Sequence, residues 1–258
     1  MDGMVEAGLS PLEAKQRFVV CTSKGTLGKA DGSKGDPNHK RGLTSLTASW
    51  VNEAVSDGLT LGEGVESFKP NILLGLSTQP GIFTEDICKG MSIINANPII
   101  MPMSNPTSKS EAAPADVYRW TQGKAVVATG SPYEAVTMDD GTVIIPSQCN
   151  NMYIFPGIGL AASVAGVTHI TDKMLYKAAE ACTNSMTQDE INQGRTFPNV
   201  RRIREVNKNV AVAIIEEALA CDMTTKIGKR QLAEGIDNLV SRKMYYPAYV
   251  PLVDDSRG

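Results

Sequence analysis

The sequence predicts an α/β protein, a doubly wound parallel sheet with a helical carboxy-terminal portion. Two observations carry that expectation. Between residues 18 and 145, short uninterrupted apolar runs alternate with helix-forming segments, the pattern of parallel strands covered on both faces. From about residue 152 the chain turns mainly helical.

The first strand expected is Phe18-Val19-Val20-Cys21, after a helical segment Pro11 to Arg17. Ile72-Leu73-Leu74-Gly75 is the second, Ile99-Ile100-Met101 the third and Ala125-Val126-Val127-Ala128 the fourth. Val143-Ile144-Ile145, which ends at Pro146, reads as a fifth. Helices are expected between them over Leu43 to Val55, Thr84 to Met91 and Ser110 to Thr121. The later helices are Tyr153 to Val167, Thr171 to Asn184 and Arg204 to Cys221, with a loop at Gly194 to Pro198. A polar helix over Arg230 to Lys243 and an exposed or docking tail, Tyr245-Tyr246-Pro247-Ala248-Tyr249, close the chain. In sheets of this kind ligands bind at the carboxyl ends of the strands, so the residues just after each strand are the ones that matter.

Bulk composition narrows the function classes. With 258 residues the chain can bury a sizeable core as one large domain or two small ones. Hydrophobic residues at 42% and charged residues at 21% are those of an ordinary globular protein. Net charge is -3, and the nearest thing to a basic cluster, His39-Lys40-Arg41, is short and has no interleaved aromatics, which argues against nucleic acid as a partner. Cys21, Cys88, Cys149, Cys182 and Cys221 show no CxxC spacing and there are only two histidines, which argues against zinc. Scattered cysteines of this kind are usually reduced, buried residues of a cytosolic or organellar protein. The most apolar stretch, Ile154 to Val167, contains Pro156 and three glycines and falls short of the roughly 20 apolar residues a membrane span needs. The opening MDGMVEAGLS has two acids and no basic residue, unlike a signal or transit peptide.

Four segments could carry chemistry. Ser104-Asn105-Pro106-Thr107 directly follows the third strand. There Asn105 can donate to a carboxylate or accept from a hydroxyl without a charge that titrates, although Asn-Pro also makes ordinary turns. Asn150 and Asn151 open a small-residue helix, where donors suit an anion and where asparagine is equally a favoured cap. Gly75-Leu76-Ser77-Thr78-Gln79-Pro80-Gly81 follows the second strand and is either a cofactor contact or a plain connection. Gly157-Ile158-Gly159-Leu160-Ala161-Ala162 fits G-x-G-x-x-A but lies inside a helix, so its small residues are expected to serve close packing. The Walker-like stretch Gly28 to Gly35 has the wrong spacing, and Asp139-Asp140-Gly141 reads as a hairpin turn. No nucleophile with an adjacent base is visible; His39 and His169 read as structural or solvated.

Taken in order, these segments resemble the malic enzyme family. The likeness is carried by GLSTQPGIFT (75–84), PIIMPMSNPTSK (98–109), WTQGKAVVATGSP (120–132) and IPSQCNNMYIFPG (145–157). Thr168 to Asp172 and Gly194 to Pro198 continue it, and it spans roughly residues 1 to 226. It implies an incomplete Rossmann-like, doubly wound parallel sheet: a cofactor-binding domain over 1–226, lacking its first strand and glycine-rich turn, followed by a helix and tail over 227–258. It further implies oxidation and decarboxylation of L-malate to pyruvate with NAD or NADP, assisted by Mg2+ or Mn2+. By that likeness Asn105 would contact malate and the nicotinamide side of the cofactor, Asn150 and Asn151 would hold substrate and cofactor together, and Ser77 and Thr78 would line the cofactor cleft.

Two departures stand out. Thr22 takes the place of an aspartate that meets the adenosine ribose in family members, which leaves NAD against NADP open. Cys149 stands where the family prefers glycine, and a side chain there threatens to crowd the site or to exclude a backbone turn with positive φ. The family's acid–base tyrosine and lysine, its malate-binding arginine and its acidic metal ligands cannot be assigned, because Met1 to Gly8 matches a helix that lies after them. No catalytic residue and no metal ligand is therefore expected in this chain. The expectation is a fragment, inactive by itself, forming a homo-oligomer or completed by another chain, with two unpaired hydrophobic strand edges in mid-sheet that make an isolated monomer poorly stable. A non-catalytic dinucleotide-binding or assembly fragment is the alternative. A cytoplasmic and a mitochondrial location both stay open.

Overall fold

The computed structural model describes residues 1–29 and 48–247. The basic cluster at 39–41, the Walker-like stretch beyond Lys29, the first part of the helix expected over 43–55 and the end of the aromatic tail lie outside the described residues.

The chain opens with α1 (Asp2–Glu6) and α2 (Pro11–Gln16). Ser10 fixes the start of α2: its hydroxyl accepts from the Glu13 N–H at 3.3 Å while the Glu13 carboxylate accepts from the Ser10 N–H at 2.9 Å, so the two residues satisfy each other's amino-end donors. The apolar run Phe18–Cys21 does not become a strand of the main sheet. Asn52 donates instead to the carbonyls of Gln16 and Phe18, at 2.9 and 2.8 Å, and pairing starts only at β1 (Cys21–Thr22), which folds back antiparallel on β2 (Gly25–Thr26). Gly25 makes this tight turn possible: its φ is 98°, and a Cβ there would lie 2.6 Å from the Gly58 and Leu59 backbone.

A second correction concerns the helix expected up to Val55. Residues 52–56 form β4 (Asn52–Ser56), a parallel partner of β3 (Gly28–Lys29). Asn52 and Val55 are buried while Glu53 and Ala54 are exposed. Here tertiary bonds override a weak helical preference: Asn52 is anchored as above, and the Gly28 N–H donates to Asp57 at 3.2 Å. Helix α3 (Leu61–Phe68) was not expected from the sequence, since Gly62 and Gly64 sit in its first turn. A reciprocal Thr60–Glu63 cap starts it, and Lys69 ends it in a left-handed conformation.

The central motif then follows as the sequence predicts. Strand β5 (Ile72–Gly75), helix α4 (Glu85–Ile94), strand β6 (Ile99–Pro102), helix α5 (Pro114–Trp120) and strand β7 (Val126–Thr129) alternate, with all three strands parallel. Ile72 lies opposite Ile99, and Ile99 opposite Val126. Leu73, Ile100 and Val127 share one face, packed with Val65, Cys88, Met91, Val117 and Tyr118 of the flanking helices. Complete burial of Ile100 and Met91 stabilises by roughly 2 kcal/mol each. Ile72 and Leu74 point the other way and stay 47% and 46% exposed, so the edge strand is covered on one side only.

Val143–Ile145 does not supply the next strand of this sheet. It belongs to a hairpin, β8 (Val136–Thr137) against β9 (Val143–Ile144), whose tip is the expected turn: Asp140 accepts from the Thr142 N–H at 2.9 Å and Gly141 has φ 83°. The sheet is completed by β10 (Ser147–Gln148), parallel to β7, giving the order β10–β7–β6–β5.

Two compact units divide the chain: Met1–Asn151 with Met186–Arg201, and Met152–Ser185 with the residues from Arg202 onward. The first unit includes α8 (Gln188–Asn192), and the second contains α6 (Phe155–Ala165), α7 (Asp172–Asn184), α9 (Ile203–Ala220), α10 (Lys229–Glu234) and α11 (Ile236–Lys243). Helix α9 packs against α6, α7 and α11 through Val206, Val210, Ile214, Ile215 and Ala218, all fully buried. The helix expected over 230–243 is broken in two at Gly235, whose φ of 85° no helix accommodates. Of the two glycines in α6, Gly157 serves close packing as expected, since a Cβ there would meet Val210 and the Asn207 carbonyl at 2.7 Å; Gly159 does not, because it is exposed and a Cβ there would meet nothing within 4 Å. Tyr245 and Tyr246 are exposed; the Arg204 guanidinium lies 5.4 Å from the Tyr246 ring centre and donates to the Tyr245 carbonyl. Among the described residues no helix is long and apolar enough to cross a membrane.

Candidate functional site

Parallel strands end side by side, so the loops after β5, β6, β7 and β10 gather at one edge of the sheet. A residue the sequence did not single out, Glu111, ties two of them together. It precedes α5 and is fully buried. Its Oε1 accepts from the Ser77 N–H (2.9 Å), the Ser77 hydroxyl (3.0 Å) and the Ser104 hydroxyl (2.5 Å), and its Oε2 accepts from the Ser104 N–H (3.3 Å). Ser104 in turn accepts from the Thr78 N–H at 2.9 Å. Thr78 is held at φ 54°, a region that costs a β-branched residue energy and persists only where its surroundings enforce it.

Burial by itself would push the Glu111 carboxyl up, but the Ser104 hydroxyl and the Ser77 and Ser104 N–H groups together hold it below the usual carboxylate range. A carboxyl depressed by folding contributes stability that is present above its ordinary value of 4.5 and is lost as pH falls through the lower folded value. Thermal melts of wild type and Glu111→Gln, stepped from about pH 6 to about pH 3, are expected to show a difference that is constant above the ordinary value and shrinks below it. A difference that does not change with pH would mean the carboxyl titrates alike in both states.

Asn105 stands at the end of β6 with its Oδ1 accepting from the Ser131 hydroxyl at 2.7 Å, and no described residue accepts from its amide N–H groups. Gly130, at the end of β7, is close enough that a Cβ would lie 2.1 Å from the Met103 carbonyl and 2.8 Å from Asn105 Oδ1. Asn150 donates to the Gly130 carbonyl at 3.0 Å and Gln148 at 3.3 Å, which joins the β10 end to the same group. Ser77, Thr78, Asn105 and Asn150 are thus brought onto neighbouring strand ends. Asn151 follows directly, exposed, at the start of a 3-10 turn over Asn151–Tyr153.

Thr22 is not linked to this group by any hydrogen bond described. It lies in the β1–β2 hairpin, where its hydroxyl donates to the Gly25 carbonyl and accepts from the Lys24 N–H, both at 3.2 Å. Cys149 does not have a positive φ. Its N–H continues the ladder to the Thr129 carbonyl at 2.7 Å, and its thiol, pushed up by burial, rests 3.4 Å from the Met103 sulfur. The residue at the cap position of α6 is Ile154, which offers no side-chain cap. Asn207, from α9, accepts from the Gly157 N–H at 2.7 Å and donates to the Met152 carbonyl at 2.9 Å. Glu111 and Asn207 are the residues that sequence reasoning missed, since both are polar and both sit in segments read as helix.

A family model described as malic enzyme, NAD binding domain, matches residues 1–219. The NADP-dependent malic enzyme of Rattus norvegicus is 34% identical over 252 residues, which is 98% of this chain and 42% of that protein. The NAD-dependent malic enzyme of Pectobacterium carotovorum is 42% identical over 212 residues, 82% of this chain and 37% of that protein. This chain therefore spans about two fifths of the length of such relatives. Among solved structures, the malic enzyme of Entamoeba histolytica superposes with a TM-score of 0.65 at 22% identity, over 93% of this chain and 44% of that one, a likeness of fold.

Proposed function

The chain belongs to the malic enzyme family, and from that premise we propose that its strand-end cluster binds the NAD or NADP of an enzyme that oxidises L-malate and decarboxylates it to pyruvate and carbon dioxide. The observation that carries the reading is Asn105, whose carbonyl is fixed by Ser131 while its amide donors have no acceptor among the described residues. An oriented amide beside the exposed Ser77 and Thr78 suits the neutral carboxamide and hydroxyls of a dinucleotide, and the charge on Glu111 is buried and met by four donors. When bound, the nicotinamide ring accepts the hydride.

In this reading Asn105 orients that ring and the malate beside it, Asn150 and Asn151 hold substrate against cofactor, and Ser77 and Thr78 line the cleft. Thr22 faces the adenosine ribose. Among the described residues no group of three or more His, Cys, Asp or Glu side chains could hold a metal ion, so the Mg2+ or Mn2+ of the family's reaction finds no ligand set among them. The 258-residue chain supplies the cofactor side, with the acid–base groups belonging to the rest of a full-length enzyme.

Calorimetric titration of the chain with NAD and with NADP tests this, with saturable binding of at least one expected; heats no larger than dilution for both would end the reading. The same titration examines Thr22. Its hydroxyl is engaged within the hairpin, whereas an aspartate could accept from two ribose hydroxyls and would repel a 2′-phosphate. Thr22→Asp is expected to shift the ratio of the two dissociation constants toward NAD by about tenfold, the size of one charge-assisted hydrogen bond. An unmoved ratio would place Thr22 away from the ribose.

A further inference from the structure

Glu111 is a carboxylate with no exposure, no partner cation among the described residues, and four hydrogen bonds to two different loops. Burial of a charge is costly, and an apolar side chain of similar volume commonly stabilises a core as well or better. Stability alone is thus a weak reason for a carboxylate at this place. What a carboxylate does, and an apolar group cannot, is accept from several donors at once and so fix where they sit. The donors here are at the ends of β5 and β6, on the edge of the sheet where the dinucleotide is proposed to bind, whereas the apolar core lies beneath, around Leu73 and Ile100.

Two further observations agree. Gly75 leaves the space the carboxylate occupies: a Cβ there would stand 2.6 Å from Glu111 Cδ and Oε2. The strained Thr78 backbone is held by the Ser104 hydroxyl, which Glu111 itself orients by accepting its hydrogen bond.

We infer that Glu111 is a positioning residue for the dinucleotide, clamping the loop after β5 to the loop after β6 so that Ser77, Thr78 and Asn105 are set before the ligand arrives. The inference rests on the proposed function, and it deepens that reading by naming what pre-organises the site. Pre-organisation raises affinity by removing the ordering cost from the binding step.

The test uses the 258-residue chain with two clamp variants and one control. Glu111→Gln keeps the volume but turns an amide donor toward donors, and Gly75→Ala displaces a carboxylate that remains charged. Val117→Ala, in the core and away from the loops, controls for general loss of stability. Dissociation constants for the dinucleotide that wild type binds are measured well below every melting point, together with amide hydrogen exchange at Ser77 and Thr78. Both clamp variants are expected to bind roughly tenfold or more weakly, the worth of one charge-assisted hydrogen bond, and to exchange faster at those two amides. Val117→Ala is expected to melt lower with affinity and loop exchange unchanged. Clamp variants that bind within about twofold of wild type overturn the inference, as does an equal loss of affinity in Val117→Ala. If wild type binds neither NAD nor NADP, the proposed function itself fails and the positioning role goes with it, an outcome distinct from a variant that binds as wild type does.

Discussion

Gly130→Ala is expected to lower the melting temperature by on the order of 6–12 °C, which corresponds to about 3 kcal/mol for a chain of this size, and to abolish dinucleotide binding. The cause is steric. Gly130 does not have a positive φ, so alanine is not excluded by backbone conformation. Its Cβ would, however, fall 2.1 Å from the Met103 carbonyl oxygen and 2.8 Å from Asn105 Oδ1, and the nearer atom is backbone that cannot swing aside. Relief requires β6 and β7 to part where they end, which moves Asn105 as well. The comparison is Gly90→Ala in α4, where a Cβ meets nothing within 4 Å. That change is expected to be neutral or to stabilise by up to about 1 kcal/mol, because alanine loses less entropy on entering a helix. Calorimetric melts of the two variants decide the matter; a Gly130→Ala protein melting together with wild type would show that the strand ends are looser than described.

Asn207→Leu is expected to cost about 2–4 kcal/mol. Leucine keeps the branching of the side chain but is bulkier, so the loss combines the missing hydrogen bonds with some overpacking. Asn207 accepts from the Gly157 N–H at 2.7 Å and donates to the carbonyls of Met152 and Ile203, both at 2.9 Å. Helix α6 has no side-chain cap at Ile154, so Asn207 is what satisfies the Gly157 N–H at its first turn. With leucine there, the buried Gly157 N–H loses its acceptor and the Met152 carbonyl loses a donor. Urea unfolding checks this: the midpoint should fall with the slope unchanged, and an unchanged midpoint would mean that water reaches Gly157.

How much of this was legible in the sequence follows from where information is local. Strands β5, β6 and β7 are continuous apolar runs bounded by turns, and these were read almost to the residue. Strand β10 is Ser147–Gln148, two polar residues that owe their place to β7, and nothing in their own chemistry announces a strand. Val143–Ile145 does look like a strand and is one in part, but its partner, Val136–Thr137, is chosen by the turn at Asp140 rather than by the sheet. Residues 52–56 were read as helix because what makes them a strand, the bonds from Asn52 to Gln16 and Phe18, joins distant parts of the chain. The site divides in the same way. Ser77, Thr78, Asn105 and Asn150 could be named because they follow strands or stand in recognisable motifs. Glu111 could not: a carboxylate in a segment read as helix is ordinarily solvated, and only the position of two serines 34 and 7 residues away makes it otherwise.

The path of the chain between the units also governs how the protein can be taken apart. Residues 186–201 return to the first unit after the second has begun, so the backbone passes from one to the other at 151/152, at 185/186 and at 201/202. A cut at any single one of these points severs a unit from part of itself. Removing everything after 151 would strip away Thr196, whose N–H donates to Ser147 of β10 at 2.9 Å, along with the Glu190 carboxylate that accepts from Asn199 at 2.7 Å. A nick at 151/152 would therefore leave the first unit in two pieces while the second stays on one, and residues 1–151 are not a natural unit for separate expression.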